Sequence, residues 1–141
     1  QCLKDSYLLY YNSRKDIKLS LVNTQKDIYF QFDKLQISRC LNNLIKNAIE
    51  AVEKIPNPAV EVKIYTNDSK IFIEIKDNGV GIDDKMIGKI FEPYFTTKSK
   101  GTGLGLSIVK RIIEDHGGKI KIEKNKNMAG TTSLIIFDQN A

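Results

Sequence analysis

The chain has 141 residues, which is the size of one domain, and it is 41% hydrophobic and 28% charged. This composition is close to the globular average and excludes disordered, collagen-like and coiled-coil chains, while apolar runs such as residues 134–137 are too short to span a membrane. The net charge of +5 comes from 19 Lys and 3 Arg against 17 acidic residues, and the Lys are scattered, so it favours a solvated surface over a nucleic-acid interface.

The two cysteines indicate the cellular compartment of the protein, and the first residues indicate its relation to a longer chain. Cys2 and Cys40 form neither a CxxC metal pair nor a disulfide framework, so we expect a reducing, cytoplasmic location. The first residues show no signal-peptide pattern. They also lack an initiator Met, so we expect that the chain is a piece of a longer protein.

The first half of the chain predicts one long helix. Hydrophobic spacing favours a short helix over residues 3–12, and alternation favours strands over 17–21 and 28–32. Asp33 and Gln36 resemble a capping box that begins a helix running to about Lys54, before Pro56. The face of this helix predicted to be buried consists of Ile37, Cys40, Leu41, Leu44, Ile45, Ala48, Ile49 and Val52.

The second half predicts more strands and a second long helix. Residues 60–66 and 70–76 alternate around a turn, as expected of a hairpin, and a helical turn is expected over 84–90. A helix should begin near Gly103, bury Leu104, Ile108, Val109, Ile112 and Ile113, and end at Gly117-Gly118. With strands over 119–124 and 131–137, the fold class is α+β: a two-layer sandwich of a mixed, mostly antiparallel sheet covered by helices on one face.

Asn43 and Asn47 lie one helical turn apart at the polar edge of the first long helix. An amide oxygen is a hard, neutral ligand that suits Mg²⁺, which takes few protein ligands and fills its coordination shell with water and phosphate oxygens. Taken alone, the pair favours two solvated asparagines over a metal site.

Asp77-Asn78-Gly79-Val80-Gly81 follows directly after a predicted strand. A carboxylate at a strand end, followed by a chain that needs two glycines, suits recognition of an amine deep in a pocket. Adenine offers an amino donor where guanine offers a carbonyl acceptor, so an Asp there would favour ATP over GTP. The alternative is an ordinary turn.

The third motif is Gly101-Thr102-Gly103-Leu104-Gly105-Leu106, at the start of the second long helix. Glycines let backbone N–H groups approach phosphate oxygens, and a helix start adds partial positive charge. A polar stretch rather than a strand precedes the motif, so it is not a dinucleotide fingerprint, and no P-loop motif occurs in the sequence. A flexible loop before a helix is the alternative.

The order of these motifs resembles the GHKL nucleotide-binding superfamily, with its Bergerat fold, and within it the catalytic domain of bacterial sensor histidine kinases. Residues 43–48 look like the N box, 77–81 the G1 box, 91–95 the F box and 101–106 the G2 box. Residues 47–51 and 95–98 are most similar to the nitrogen-regulation type of sensor kinase.

The resemblance implies a site for ATP and Mg²⁺. Asn47 would hold Mg²⁺ and Asn43 would support the phosphate end, while Lys98 or Lys100 lies where a cation could meet the γ-phosphate. Asp77 would bind the adenine amino group, and residues 83–102 would form a lid anchored by Phe91 and Phe95. The full set of implied site residues is Asn43, Asn47, Asp77, Gly79, Gly81, Ile82, Phe95, Lys98, Gly101, Thr102, Gly103, Leu104, Gly105, Leu106 and either Thr131 or Thr132.

One position indicates the reaction. Members of the superfamily that hydrolyse ATP carry Glu four residues before the metal-binding Asn, where this chain has Asn43. The resemblance therefore implies transfer to histidine rather than hydrolysis, although a GHKL ATPase or a silent nucleotide-binding module stays an alternative. His116, in Glu114-Asp115-His116-Gly117-Gly118, has a structural role by this interpretation, because the acceptor motif of the family lies on a separate helix.

The implied organisation is a linker tail over residues 1–14 and a catalytic domain over 15–141, expected to be monomeric alone. Its partners would be ATP, a dimerisation domain of the same parent that carries the acceptor histidine, and a response regulator. No contact with nucleic acid or membrane is expected of this domain, although the parent could be membrane-anchored.

Overall fold

The fold is given by a computed structural model, which describes residues 18–23, 33–93 and 105–138. Its elements are β1 (Lys18–Asn23), α1 (Lys34–Val52), β2 (Ala59–Asn67), β3 (Lys70–Asp77), α2 (Asp84–Ile87), α3 (Gly105–Asp115), β4 (Lys119–Lys124) and β5 (Thr131–Asp138). Across these ranges, no helix has the length and apolar character that crossing a membrane would require. The expected helix over 3–12, strand over 28–32 and linker over 1–14 lie outside the described residues.

The long helix α1 begins where its capping residues predict. Asp33 has an extended backbone, and its Oδ1 accepts a hydrogen bond from the backbone N–H of Gln36 at 3.2 Å. The reciprocal half of a capping box is different here, because the backbone N–H of Asp33 donates to Nε2 of His116 at 3.0 Å. The helix ends at Val52, two residues earlier than expected and ahead of Pro56.

The five described strands form one mixed sheet in the order β1-β2-β3-β5-β4. Only β1 runs parallel to its neighbour, and the other three pairings are antiparallel. The β2–β3 hairpin closes through Asp68 and Ser69, whose φ angles of 52° and 62° are those that a type I′ turn requires at both central residues. The predicted hairpin is confirmed.

One face of the sheet is covered by the helices. In β3 the side chains of Ile71, Ile73 and Ile75 are buried, and the alternation of the strand places Asp77 on the same face. The long helix α1 packs on β2 and β3, while α3 packs on α1 and β4. All eight α1 residues predicted to face the core are buried. The α+β two-layer class is confirmed.

Helix α3 ends as its sequence predicts. Gly117 has a φ of 76° and its N–H donates to the carbonyl of Glu114, while the N–H of Gly118 donates to the carbonyl of Ile113, which together form a Schellman cap.

The expected buried face of α3 needs one correction. Val109, Ile112 and Ile113 are buried as predicted, but Ile108 is 38% exposed. Ile108 lies at the edge of the apolar face and lines an open groove between α1 and α3, together with Arg39. The helical pattern alone does not distinguish this edge from the centre of the face. Leu104, expected to face inward, lies outside the described residues.

Candidate functional site

Asn43 and Asn47 on α1 form one end of the candidate site. Nδ2 of Asn47 donates a hydrogen bond to Oδ1 of Asn43 at 3.1 Å, across one turn of the helix. This bond engages the Asn47 nitrogen, so the amide oxygen is the atom of that side chain suited to a metal. Both side chains are half-buried.

The start of α3 lies directly against this pair. A Cβ added at Gly105 would come within 2.8 Å of Nδ2 of Asn43, so only glycine permits this approach without a shift. The first N–H groups of a helix have no partners within the helix and carry about half a positive charge, which attracts anions. An amide pair and a helix start therefore converge at one place, and this combination suits phosphate oxygens and a divalent cation.

Asp77 forms the other end of the site. It is 6% exposed, and it stands at a position of β3 where the alternation puts isoleucine at the three preceding inward positions. Its Oδ1 accepts hydrogen bonds from the backbone N–H groups of Gly79 at 2.9 Å and Thr131 at 3.3 Å. Both bonds end on Oδ1, so Oδ2 is the oxygen that suits a ligand donor.

The environment of Asp77 acts on its pKa in two opposite directions. Burial raises the pKa of the carboxyl group, because it disfavours the charged form, and the hydrogen bonds from Gly79 and Thr131 partly lower it. Burial dominates, so the pKa lies above the usual range for Asp. A buried carboxyl group with a perturbed pKa is a common feature of functional sites.

The glycines near Asp77 are explained by local packing. A Cβ at Gly79 would lie 2.4 Å from the carbonyl oxygen of Ala51 in α1, and the N–H of Val80 donates to that same oxygen at 3.3 Å. Gly81 has a φ of 77°, a backbone conformation that residues other than glycine rarely adopt. The segment after β3 is thereby held against the last turn of α1.

The contact at Ala51 fixes the spacing between the two ends. Ala51 lies eight residues after Asn43 on the same helix, which corresponds to about 12 Å along the axis. The contact between Gly79 and Ala51, beside the carboxylate end, therefore lies about 12 Å along the helix from Asn43, which is comparable to the length of a nucleoside triphosphate.

The two threonines expected near the base have different surroundings. Thr131 is buried, and its N–H donates to Asp77. Thr132 is half-buried, and its hydroxyl donates to Oδ1 of Asn125 at 2.6 Å. Thr131 is therefore the threonine that lies beside the carboxylate.

Two further residues at the Asp77 end of the site, Gly130 and Asn125, were not predicted from the sequence. Gly130 has a φ of 109°, and a Cβ there would lie 2.0 Å from the carbonyl oxygen of Asp77. Asn125 donates from Nδ2 to that same oxygen at 2.8 Å. In the sequence they belong to a polar turn, and such a turn indicates a bend but not which strand end it touches.

The remaining expected site residues divide into two groups. Ile82 is half-buried after the glycine turn, and Leu106 packs against the hydrophobic core. Phe91, expected to anchor the lid, has the Nζ of Lys110 5.4 Å from its ring centroid. The residues that lie outside the described part of the chain are Phe95, Lys98, Lys100, Gly101, Thr102, Gly103 and Leu104.

Comparison with known proteins identifies the family. A model described as histidine kinase-, DNA gyrase B-, and HSP90-like ATPase matches residues 32–140. The chain belongs to this family.

The relatives within this ATPase family are sensor kinases. Over 109 residues the chain is 43% identical to a protein of Rickettsia bellii named as an NtrY-like sensor histidine kinase, a match that covers 77% of this chain and 18% of that protein. It is 42% identical over 98 residues to the nitrogen regulation protein NtrY of Azorhizobium caulinodans, covering 65% and 13% respectively. The chain thus spans less than a fifth of the length of these relatives.

Solved structures agree with the family assignment. The nucleotide-free catalytic domain of the histidine kinase ThkA superposes with a TM-score of 0.86 at 33% identity, covering 98% of this chain and 90% of that one. ThkA in complex with the response regulator TrrA gives a TM-score of 0.82 at 30% identity, covering 98% and 39%. The resemblance to an ATP-binding catalytic domain of sensor histidine kinases, of the nitrogen-regulation type, is confirmed.

Proposed function

We propose that this ATPase-family domain binds Mg·ATP across the two ends of the site and transfers the γ-phosphate to a histidine on a dimerisation domain of its parent protein. The observation that carries the proposal is the pairing of a buried carboxylate at the end of β3 with an amide pair beside the start of α3. The relatives, which are named as sensor histidine kinases, support the same reaction.

At the adenine end, Oδ2 of Asp77 accepts a hydrogen bond from the exocyclic amino group of the base. Guanine would present a carbonyl oxygen there, which sets acceptor against acceptor and leaves buried polar atoms unpaired. Thr131 lies beside the carboxylate and is the threonine that we place near the base. The family's late threonine is therefore assigned to position 131 rather than 132.

At the phosphate end, the donor set fits Mg²⁺. The amide oxygen of Asn47 is a hard ligand, and Asn43 orients it through the 3.1 Å hydrogen bond. Bound there, Mg²⁺ would neutralise charge on the phosphates. The N–H groups at the start of α3 are suited to bind the phosphate chain. By the family resemblance, Gly101, Gly103 and Gly105 would bind the phosphates, and Lys98 or Lys100 would meet the γ-phosphate.

In the transfer, the bond between the γ-phosphorus and the bridging β–γ oxygen breaks, and a phosphorus–nitrogen bond forms on the acceptor imidazole. Neutral imidazole is itself nucleophilic, so no general base is needed at position 43, where Asn43 instead bonds Asn47. The protein contributes to the transfer by positioning the phosphates and neutralising their charge.

His116 is not the acceptor in this proposal. Its Nδ1 lies 2.8 Å from the carbonyl oxygen of Ile112, and its Nε2 accepts from the backbone N–H of Asp33. Nδ1 therefore carries the proton and donates to that carbonyl, while the lone pair of Nε2 accepts from Asp33, so no lone pair is presented for attack.

The wider organisation follows the sequence analysis. We place the catalytic domain at residues 15–141, with a linker tail over 1–14, in the cytoplasm. The acceptor histidine belongs to a dimerisation domain outside this chain, and a response regulator takes the phosphate from it, as the ThkA–TrrA complex supports.

Reconstitution tests this function. The purified chain, the dimerisation domain of its parent and Mg·ATP labelled at the γ-phosphate are mixed, and label on the dimerisation domain is measured. We expect label only when both proteins are present, and none on the chain alone. Asn47→Ala should reduce the rate by at least about 100-fold, since charge neutralisation at the transferring phosphate is worth several kcal/mol.

Lys46→Ala is the matched control, because Lys46 is exposed on the same helix turn and its ion pair with Glu50 spans 4.0 Å. This variant should label the acceptor at the wild-type rate. Full activity of Asn47→Ala would remove the metal role, and phosphate on His116 would overturn the proposal.

A further inference from the structure

The side chain of Asn125 joins several parts of the adenine end. Its Nδ2 donates to the carbonyl oxygens of Asp77 at 2.8 Å and Ala129 at 3.1 Å. Its Oδ1 accepts from the hydroxyl of Thr132 at 2.6 Å, and its backbone N–H donates to the carbonyl of Gly130 at 3.1 Å. One half-buried residue thus engages every residue from 129 to 132 except Thr131.

These bonds occur where the β3–β5 ladder stops. The last paired residues are Lys76 and Thr132, one position before Asp77 and Thr131 would pair. The carbonyl oxygen of Asp77 takes its hydrogen bond from the Asn125 side chain. The N–H of Thr131 goes to the Asp77 carboxylate.

The bond from Thr131 to the carboxylate depends on accurate placement. Its length of 3.3 Å is already slightly longer than that of most N–H···O bonds, so a further displacement of a few tenths of an ångström would break it. Gly130 brings the two backbones into contact beside it, since a Cβ there would lie 2.0 Å from the Asp77 carbonyl oxygen. Asn125 spans this contact from Asp77 to Thr132.

We propose that Asn125 is a positioning residue for adenine recognition, which holds the start of β5 on the end of β3 so that the Thr131 N–H fixes the Asp77 carboxylate. The inference rests on the proposed role of Asp77 at the adenine amino group. Without Asn125, one of the two donors to Oδ1 is lost, and the carboxylate is free to rotate away from the base.

The test measures how much more tightly the chain binds ATP than an analogue without the adenine amino group. In the presence of Mg²⁺, the chain is titrated calorimetrically with ATP and with purine riboside 5′-triphosphate, which lacks only that group. The dissociation constant of the analogue divided by that of ATP is the ratio compared below. A hydrogen bond to a charged carboxylate corresponds to a ratio of about 10–100 in the wild-type chain. In Asn125→Ala we expect the ratio to fall by at least about fivefold, toward one.

The same ratio of dissociation constants is measured for a matched control variant, and it defines the results that would contradict the proposal. Asn127→Ala, at an exposed position of the same loop, should keep the wild-type ratio. An Asn125→Ala variant that binds both nucleotides more weakly by the same factor would show a merely structural role and overturn the inference. A wild-type ratio near one would instead overturn the adenine assignment of Asp77 itself.

Two further variants complete the test. Thr132→Val keeps the side-chain shape and removes one bond to Asn125, so it should lower the ratio by about threefold, the effect of one neutral hydrogen bond. If Asn125→Ala does not fold, an unchanged ratio in Thr132→Val overturns the inference. In an Asp77→Asn background Asn125→Ala should leave the ratio unchanged, and a further fall there would place its action elsewhere and refute our proposal.

Discussion

The carboxyl group of Asp77 occupies a position where β3 otherwise buries isoleucine. Burial raises its pKa, so the folded state holds the proton more tightly than the unfolded chain does. The contribution of this group to the free energy of unfolding is therefore full below the unfolded pKa and is lost as the pH rises through the folded pKa. Above the folded pKa, where the group is ionised, the buried charge makes the empty domain less stable.

Asp77→Asn should therefore raise the stability of the empty domain while it lowers the affinity for ATP. Without nucleotide, at a pH above the folded pKa of Asp77, we expect the free energy of unfolding to rise, because the amide keeps an acceptor for Gly79 and Thr131 but carries no buried charge. Affinity for ATP should fall by about 10–100-fold, the worth of a hydrogen bond to a charged group. Urea denaturation and calorimetry measure the two effects.

The pH dependence provides the control for this prediction. The stability difference between the wild type and Asp77→Asn should shrink as the pH falls through the raised pKa, because the wild-type carboxyl group then becomes neutral. A difference that does not vary with pH would contradict the assignment to buried charge.

Gly130 is a second residue whose role is set by its backbone. Gly130→Ala should destabilise the domain by about 3 kcal/mol or more, because it combines a φ of 109° with a Cβ 2.0 Å from the Asp77 carbonyl oxygen. Gly88→Ala is the matched control, since Gly88 has a φ of −70° and no atom within 4 Å of the added Cβ. Urea unfolding compares them, and equal midpoints would be evidence against the close approach.

At the scale of elements, His116 ties the end of α3 to the start of α1. The ring joins the carbonyl of Ile112 to the backbone N–H of Asp33, which is 83 positions away in the sequence. This bond replaces the reciprocal half of the capping box, so the first turn of the helix that carries Asn43 and Asn47 is anchored by another helix.

His116→Phe should release that anchor. The side chain stays aromatic but loses both hydrogen bonds, so we expect a loss of about 1–2 kcal/mol in the free energy of unfolding. Hydrogen exchange should become faster in the first turn of α1 than in its centre. Asp115→Asn, which changes an exposed neighbour, is the control. Unchanged exchange in the first turn would show that the anchor contributes nothing.

The elements show which parts of the fold the sequence could predict. The buried face of α1, the turn at Asp68 and the cap at Gly117 depend on local periodicity or on φ preferences, and all three were predicted correctly. The place of β5 between β3 and β4, and the contact of Asn125 with Asp77, join residues far apart in the chain. Local patterns do not encode such pairings, and Ile108 was misplaced because its surroundings come from a neighbouring helix.

At the scale of the whole molecule, ligand binding and stability are linked. A nucleotide that binds only the folded state adds about 2.7 kcal/mol at a concentration 100 times its dissociation constant. Mg·ATP at that concentration should raise the unfolding midpoint by about 10 °C, while Mg·GTP at the same concentration should raise it far less. Differential scanning fluorimetry measures both, and equal shifts would contradict adenine selection by Asp77.

The two donors to Asp77 Oδ1 are main-chain amides, those of Gly79 and Thr131. A main-chain donor survives replacement of its own side chain by any residue except proline, which lacks the N–H. Evolutionary drift at position 131 can therefore alter the side chain and leave the carboxylate's support intact, whereas Asp77 itself and the glycines that shape the backbone have no such freedom. The support of the Asp77 carboxylate by residue 131 thus depends on backbone shape and not on the identity of the side chain at that position.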